Sequence, residues 1–203
     1  MRIITGKHKG RHFDIPRTFK ARPTTDFAKE NIFNVLTGLI DLEGATALDL
    51  FSGTGSITME LLSRGCAHVV SIELDRDHHR FICDCVRKLK EEKSCQPIRV
   101  DAFRFIKSCK NTFDFIFADP PYALKELSSI PGLVFGKGLL KPDGIFVFEH
   151  GSNYDFSNNP HFLQHRSYGS VNFSIFTSGV RADEAVIPTD GRQNGDEGDG
   201  GDC

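Results

Sequence analysis

Four consecutive residues, Asp119-Pro120-Pro121-Tyr122, combine the side chains needed to hold a planar amine while it reacts. They follow Phe113-Asp114-Phe115-Ile116-Phe117-Ala118, an apolar run broken by one acid, which reads as a buried strand. Each proline fixes φ and gives up its backbone donor, so the strand exit is a stiff lip whose Pro-Pro carbonyls are expected to point outward as acceptors. A carboxylate, fixed carbonyls and a flat ring suit an amine nitrogen. The alternative is an ordinary strand exit stiffened by prolines, and the tetrapeptide alone does not decide between them.

A second stretch offers the reaction partner. Leu48-Asp49-Leu50-Phe51-Ser52-Gly53-Thr54-Gly55-Ser56 runs from a strand through a glycine turn into a helix. Such a turn lets a ligand approach the backbone, and the helix start offers free N–H groups. Thr58 stands where the dinucleotide fingerprint needs its third glycine. Asp49 would also lie beside a pyrophosphate, which repels it, whereas the cationic amine of a methionine moiety attracts it. The turn therefore points away from NAD and towards S-adenosylmethionine.

Two more acids fall at strand ends. Glu73 closes Val69-Val70-Ser71-Ile72, 18 residues past Gly55, placed to accept both hydroxyls of a ribose. Asp101 follows Ile98-Arg99-Val100, within reach of an adenine amino group, with the Ala102 N–H nearby. Each acid by itself is more often a surface residue or helix cap. Three of them around one crevice at the ends of successive strands make a ligand site.

The elements that must position these groups alternate. Strands are expected at 45–51, 68–73, 97–100, 113–118 and 144–149, with helices at 56–64, 76–91, 102–108 and within 125–139. That order gives a parallel sheet with helices on both faces. After Glu149-His150, segments 162–168 and 171–177 alternate around Tyr168-Gly169-Ser170 as a closing antiparallel hairpin. Upstream, Ala28, Ile32, Val35 or Leu36, and Leu39 have helical spacing behind Thr25 or Asp26 as cap. Residues 2–15 read as a short hairpin turning through Gly6 to Gly10.

Composition sets the class. A chain of 203 residues with 39% hydrophobic and 26% charged side chains suits one globular domain with a small appendage. With no apolar run near membrane-spanning length and no signal-peptide core, a cytosolic, non-membrane protein is expected. The net charge of −2 hides an asymmetry: residues 1–30 hold eight Lys/Arg against three acids, whereas residues 181–203 hold seven acids against two Arg. A basic front end suits a polyanion, with a solvated basic face as the plainer reading. The six cysteines form no CxxC pair, so reduced thiols are expected. His79, Cys83 and Cys85 are too few for a metal site, and none is expected.

Five blocks occur in a telling order: Arg22-Pro23-Thr24-Thr25-Asp26, Glu30-Asn31-Ile32-Phe33-Asn34, the Asp49-to-Gly55 turn, Ile72-Glu73-Leu74-Asp75-Arg76 and Asp119-Pro120-Pro121-Tyr122. Over residues 1–180 the chain resembles the RsmD family, bacterial methyltransferases acting on guanine N2 in 16S ribosomal RNA. The Asp/Asn-Pro-Pro-aromatic motif marks amino-methyltransferases in general; the Arg-Pro-Thr-Thr-Asp block and the basic hairpin narrow it. Phe27 and Ala28 stand where many members carry a basic residue, and the acidic tail has no counterpart.

The resemblance implies an α/β Rossmann-like class I methyltransferase: a mostly parallel seven-stranded sheet with a closing hairpin and a small N-terminal β-hairpin extension. The implied division is a basic extension at 1–20, the methyltransferase domain at 21–180 and a disordered Gly/Asp-rich tail at 181–203. Asp49, Phe51, Gly53 and Gly55 would hold the methionine end of S-adenosylmethionine, Glu73 the ribose, and Asp101 with Ala102 the adenine. Thr24 in the Arg22-to-Asp26 block would fold over the cofactor, with Arg22 on the RNA. Lys7, Lys9 and Arg11 would bind phosphates. Asp119, Pro120, Pro121 and Tyr122 would receive the base, flipped out of 16S rRNA in the 30S subunit or its assembly intermediate. Methylation of a protein glutamine or a DNA adenine N6 amine uses a similar lip, more often begun by Asn. A non-catalytic RNA-binding protein is the alternative of another class.

Overall fold

Apolar runs that can be buried on both faces become the central strands. The computed structural model describes residues 1–19 and 26–179; Arg22, Thr24 and the 181–203 tail lie outside them. Helix α1 spans Asp26–Leu36, followed by β1 Thr46–Leu50, α2 Ser56–Ser63, β2 His68–Glu73, α3 Arg76–Leu89, β3 Cys95–Arg99 and α4 Ala102–Ser108. The chain continues through β4 Phe113–Ala118, a 3-10 turn at Leu127–Ser129, α5 Ile130–Gly136, β5 Leu140–His150, β6 Phe162–Tyr168 and β7 Val171–Thr177. The strands form one seven-stranded sheet in the order β3-β2-β1-β4-β5-β7-β6. The first four pairings are parallel, and β7 runs antiparallel to both β5 and β6. This is the expected Rossmann-like sheet with its closing hairpin.

The period of two along each strand divides the core. Phe115 and Phe117 pack on one face with Ile32, Phe33, Leu61 and Ile82 from α1, α2 and α3. Ile116 and Ala118 pack on the other with Ile106, Ile130 and Val134 from α4 and α5. Asp114, the acid that interrupts the β4 run, sits at the amino edge. It accepts from Thr46 N at 2.8 Å, Thr46 Oγ1 at 2.7 Å and Lys141 Nζ at 2.8 Å, tying β1, β4 and β5 together.

One boundary that differs from expectation has an identifiable reason. Strand β5 begins at Leu140 rather than 144, because Phe113 pairs with Leu140 before a register shift brings Phe115 opposite Ile145. Asp143 takes φ 61° inside that irregularity. A Cβ on Gly144 would stand 3.0 Å from the Asp114 carbonyl oxygen, so the crossing admits only glycine.

The N-terminal hairpin is minimal. One bridge joins Arg2 and His12, supported by Ile3 N–H to the Arg11 carbonyl at 3.0 Å and Phe13 N–H to Met1 at 2.9 Å. It lies along α2 instead of standing free. Glu60 accepts from Ile4 N at 2.8 Å and Thr5 N at 3.1 Å, and Lys7 N donates to the Ser63 carbonyl at 2.8 Å. Those backbone donors are spent on α2, so they cannot extend a strand ladder.

Candidate active site

The carboxyl ends of β1, β2, β4 and β5 open onto one cavity of about 920 Å³. At its floor β1 exits through Phe51, a non-glycine residue at φ 60°, and the turn proceeds through Gly53 at φ 53° and Gly55 at φ 74°. Gly55 N–H bonds the Ser52 carbonyl at 2.7 Å and caps α2. A Cβ there would meet Ile82 Cγ1 at 2.9 Å, so the third helix packs where a side chain would be. Gly53 lines the cavity; Gly55 lies behind it as the hinge.

Asp49 is 1% exposed and accepts from Thr58 N at 3.0 Å and Thr58 Oγ1 at 2.5 Å. Thr58 Oγ1 lies 3.0 Å from Ser71 Oγ, which is 2.8 Å from Ser52 Oγ. The residue that breaks the dinucleotide fingerprint thus positions the acid. Burial pushes the Asp49 carboxyl up to about 7, against the pull of the Thr58 and Ser52 hydrogen bonds and with a smaller contribution from the charge of Glu73.

Glu73 takes Gly53 N–H at 2.7 Å on one oxygen and Asp75 N–H at 2.7 Å on the other. A carboxylate has about four lone-pair positions, so two remain for a vicinal diol. Asp101 caps α4 by accepting from Arg104 N at 2.9 Å, while both it and Ala102 line the cavity. Phe103, not singled out from the sequence, meets Phe51 edge-on at 6.1 Å, and with Val100 and Ala102 it makes an apolar slot for a flat ring. A glycine floor, a diol acceptor, a buried acid facing a would-be cation and an apolar slot together fit S-adenosylmethionine.

At the far wall stands the lip. Asp119, Pro120, Pro121 and Tyr122 all line the cavity. Asp119 N is 3.4 Å from the Leu50 carbonyl oxygen, which brings the β4 exit against the β1 exit. The Pro121 carbonyl departs from expectation: it accepts from Leu124 N at 2.8 Å and closes a turn instead of pointing outward. Burial raises the Asp119 carboxyl well above its ordinary range, helped by the nearby charges of Glu149 and Asp49. The Tyr122 hydroxyl donates to Glu149 Oε1 at 3.2 Å, and burial with the neighbouring charge of Glu149 pushes its ionisation to higher pH too.

Glu149 escaped the sequence reading, although the rule that found Asp49, Glu73 and Asp101 applies to it. It ends the apolar run Ile145-Phe146-Val147-Phe148 and is 4% exposed. Ala118 pairs with Phe148, so Asp119 and Glu149 leave neighbouring parallel strands side by side.

The basic residues do not converge on this cavity. Lys29, one of the front-end cations, is buried: its Nζ donates to the Arg2 carbonyl at 2.6 Å and Ser56 Oγ at 3.0 Å and lies 3.9 Å from Glu60 Oε2. It is a structural cation, not a phosphate ligand. Lys7 pairs with Glu91 at 2.8 Å, and His8 Nε2 is 2.5 Å from the same carboxylate. Lys9 and Arg11 are exposed, with Arg11 Nη2 3.2 Å from the Lys88 carbonyl. This tip lies beside Ser63, the opposite end of α2 from Gly55. His79 and Cys83 touch at 3.8 Å, but among the described residues no three His, Cys, Asp or Glu gather as for a metal.

Residues 1–177 match the family described as conserved hypothetical protein 95. Ribosomal RNA small subunit methyltransferase D of Escherichia coli K12 is 30% identical over 149 residues, covering 73% of this chain and 74% of that one. The chain belongs to the RsmD family. Among solved structures, the Escherichia coli protein yhhF superposes on this RsmD-family chain with a TM-score of 0.77 at 26% identity, over 89% of this chain and 99% of that one. The Thermus thermophilus 16S rRNA N2 G1207 methyltransferase RsmC, in complex with AdoMet and guanosine, has a TM-score of 0.63 at 16% identity, over 79% and 45%. The RsmD-family fold is therefore that of class I S-adenosylmethionine-dependent methyltransferases. Among the described residues no helix is long and apolar enough to cross a membrane.

Proposed function

We propose that this RsmD-family chain transfers a methyl group from S-adenosylmethionine to the exocyclic N2 amine of one guanine in 16S rRNA of the small ribosomal subunit. The observation that carries the reading is the meeting of the Asp119-to-Tyr122 lip and the Asp49–Gly53–Glu73 wall in a single cavity. The name of the Escherichia coli relative supports ribosomal RNA as substrate class.

Glu73 would hold the ribose hydroxyls, Val100 and Phe103 would line the adenine slot with Asp101 and Ala102 at its edge, and Asp49 with Phe51 would face the cationic methionine end. S-adenosylmethionine, when bound, supplies a methyl group on a cationic sulfur. The guanine N2 lone pair is delocalised into the ring, which makes it a weak nucleophile. Asp119 and the Pro120 carbonyl accept its two N–H bonds and turn the lone pair towards the methyl. As charge develops on nitrogen, the raised proton affinity of Asp119 suits it to take the proton. Beside a bound sulfonium cation Asp119 would stay ionised until then. Tyr122 stacks on the base, an interaction worth about 1–3 kcal/mol. Fixing both reactants in line contributes roughly 7–11 kcal/mol to the rate. A paired guanine cannot reach this lip, so the base is unpaired or flipped out.

Lys9 and Arg11 touch phosphates well away from the target nucleotide. The 30S subunit or its assembly intermediate, in the cytoplasm, presents such an extended surface. Radiolabelled transfer to naked 16S rRNA, 30S subunits, DNA and protein extract tests this. Label mapped by mass to one guanine N2 of 16S rRNA supports the reading; label on DNA adenine or on protein overturns it.

A further inference from the structure

Most acids in the cavity have a use in the proposed reaction, but Glu149 has none. Its carboxylate is 4% exposed at the wall of the cleft. Its place is specific. Ala118 and Phe148 are register partners, so Asp119 and Glu149 follow them at the ends of adjacent parallel strands, roughly 4.8 Å apart as strands are. Tyr122 Oη, on the lip itself, donates to Glu149 Oε1 at 3.2 Å. That bond fixes both the ring that covers the base and the carboxylate beside it.

Two acceptors side by side discriminate between amines that the lip alone would treat alike. Guanine presents its N2 amine next to an N1–H, donor beside donor. Adenine presents its N6 amine next to N1, donor beside lone pair. A carboxylate placed for the neighbouring atom attracts the first and repels the second. Resting on the guanine N2 reading above, we infer that Glu149 is the residue that selects guanine, accepting N1–H while Asp119 accepts the N2 amine, with Tyr122 holding Glu149 in place. A carboxylate's two oxygens offer about four lone-pair positions, so accepting from Tyr122 does not by itself exclude the base.

The substrate can be altered without touching the protein. 2-Aminopurine keeps the N2 amine but has a lone pair at N1. After wild-type methylation of 16S rRNA has been mapped, small-subunit RNA is rebuilt with guanine or 2-aminopurine at that position. Methyl transfer is then compared for wild type, Glu149→Ala and Tyr122→Phe, with cofactor affinity checked in each. Sites built around a substrate N–H reject analogues lacking it strongly. Wild type should prefer guanine by at least about 100-fold, Glu149→Ala should bring the two bases within about tenfold by losing guanine alone, and Tyr122→Phe should fall between. Wild type that methylates 2-aminopurine as well as guanine overturns the inference even if Glu149→Ala does not fold. So does an undiminished preference in a folded Glu149→Ala. Label on adenine N6 or protein in the first mapping overturns the guanine reading itself, a distinct result.

Discussion

Glu73 Oε2 accepts the Gly53 N–H at 2.7 Å, so the acid proposed to bind the ribose diol and the glycine turn are one rigid unit. The other oxygen takes Asp75 N–H at 2.7 Å, just ahead of the Asp75 cap of α3. Truncation at Glu73 should therefore remove the ribose contacts and loosen the turn together. Hydrogen bonds to charged groups are worth roughly 1.5–3 kcal/mol each, so Glu73→Ala should weaken S-adenosylmethionine binding by at least about 30-fold. Calorimetric titration measures this, and an unchanged affinity would remove Glu73 from the cofactor site.

Asp119 lies across the cavity, where the proposed reaction would place the amine and not the ribose end. Asp119→Ala should cut single-turnover methyl transfer by at least about 10³-fold while cofactor affinity stays within a few-fold. Asp119→Asn keeps one acceptor and should recover part of the loss. Wild-type turnover in the alanine variant would show that the lip is only a strand exit.

Much of this architecture is legible locally. Strands β1, β2 and β4 are short apolar runs buried on both faces, the pattern expected of parallel strands covered by helices on both sides. Acids at strand ends mark three of the cavity's carboxylates, and Glu149 obeys the same rule but sits where the strand pattern changes and so looks like a boundary. What stayed hidden is non-local. Lys29 and Glu60 look like surface residues of two amphipathic helices, and only the packing of the hairpin on α2 buries them. Thr58 shows only as a missing glycine until the fold brings it to Asp49. The start of β5 is masked by Lys141-Pro142-Asp143, which no strand pattern includes.

Lys29 and Lys9 separate the two kinds of cation in the front end. Lys29 and Glu60 are 1% and 0% exposed, and Lys29→Ala strands part of a buried charge network, although Arg64 still contacts Glu60 at 3.0 Å. Breaking buried pairs costs about 3–5 kcal/mol; with Arg64 present, roughly 2–4 kcal/mol is expected, a drop in Tm of about 5–10 °C. The salt dependence of RNA binding should not change. Neutralising exposed Lys9 and Arg11 should do the reverse, lowering the slope of log K against log salt by about 0.7–0.9 per lost phosphate contact and leaving Tm alone. If Lys29→Ala shifts the salt slope and not the melting temperature, the assignment is inverted.

Asp49 makes cofactor affinity depend on pH in a definite direction. Its folded carboxyl titrates at about 7, above its ordinary 3.8, because burial disfavours the charge. The ligand-free fold therefore holds a proton that the unfolded chain releases, and this group's contribution to stability is full below about pH 4 and fades as pH rises through 7. A cationic ligand reverses the preference. Above pH 7 it meets an ionised Asp49; below, it must expel the proton, and affinity should fall by up to about tenfold per unit. Asp119 is raised as well, so Asp119→Ala is the background in which Asp49 is isolated. Titrations between pH 5.5 and 8 in buffers of different ionisation enthalpy would register the released proton directly. Asp49→Asn should bind weakly at every pH with no slope. A wild-type affinity that is flat across that range would mean that Asp49 does not face the cation, and the methionine end would have to lie elsewhere in the cavity.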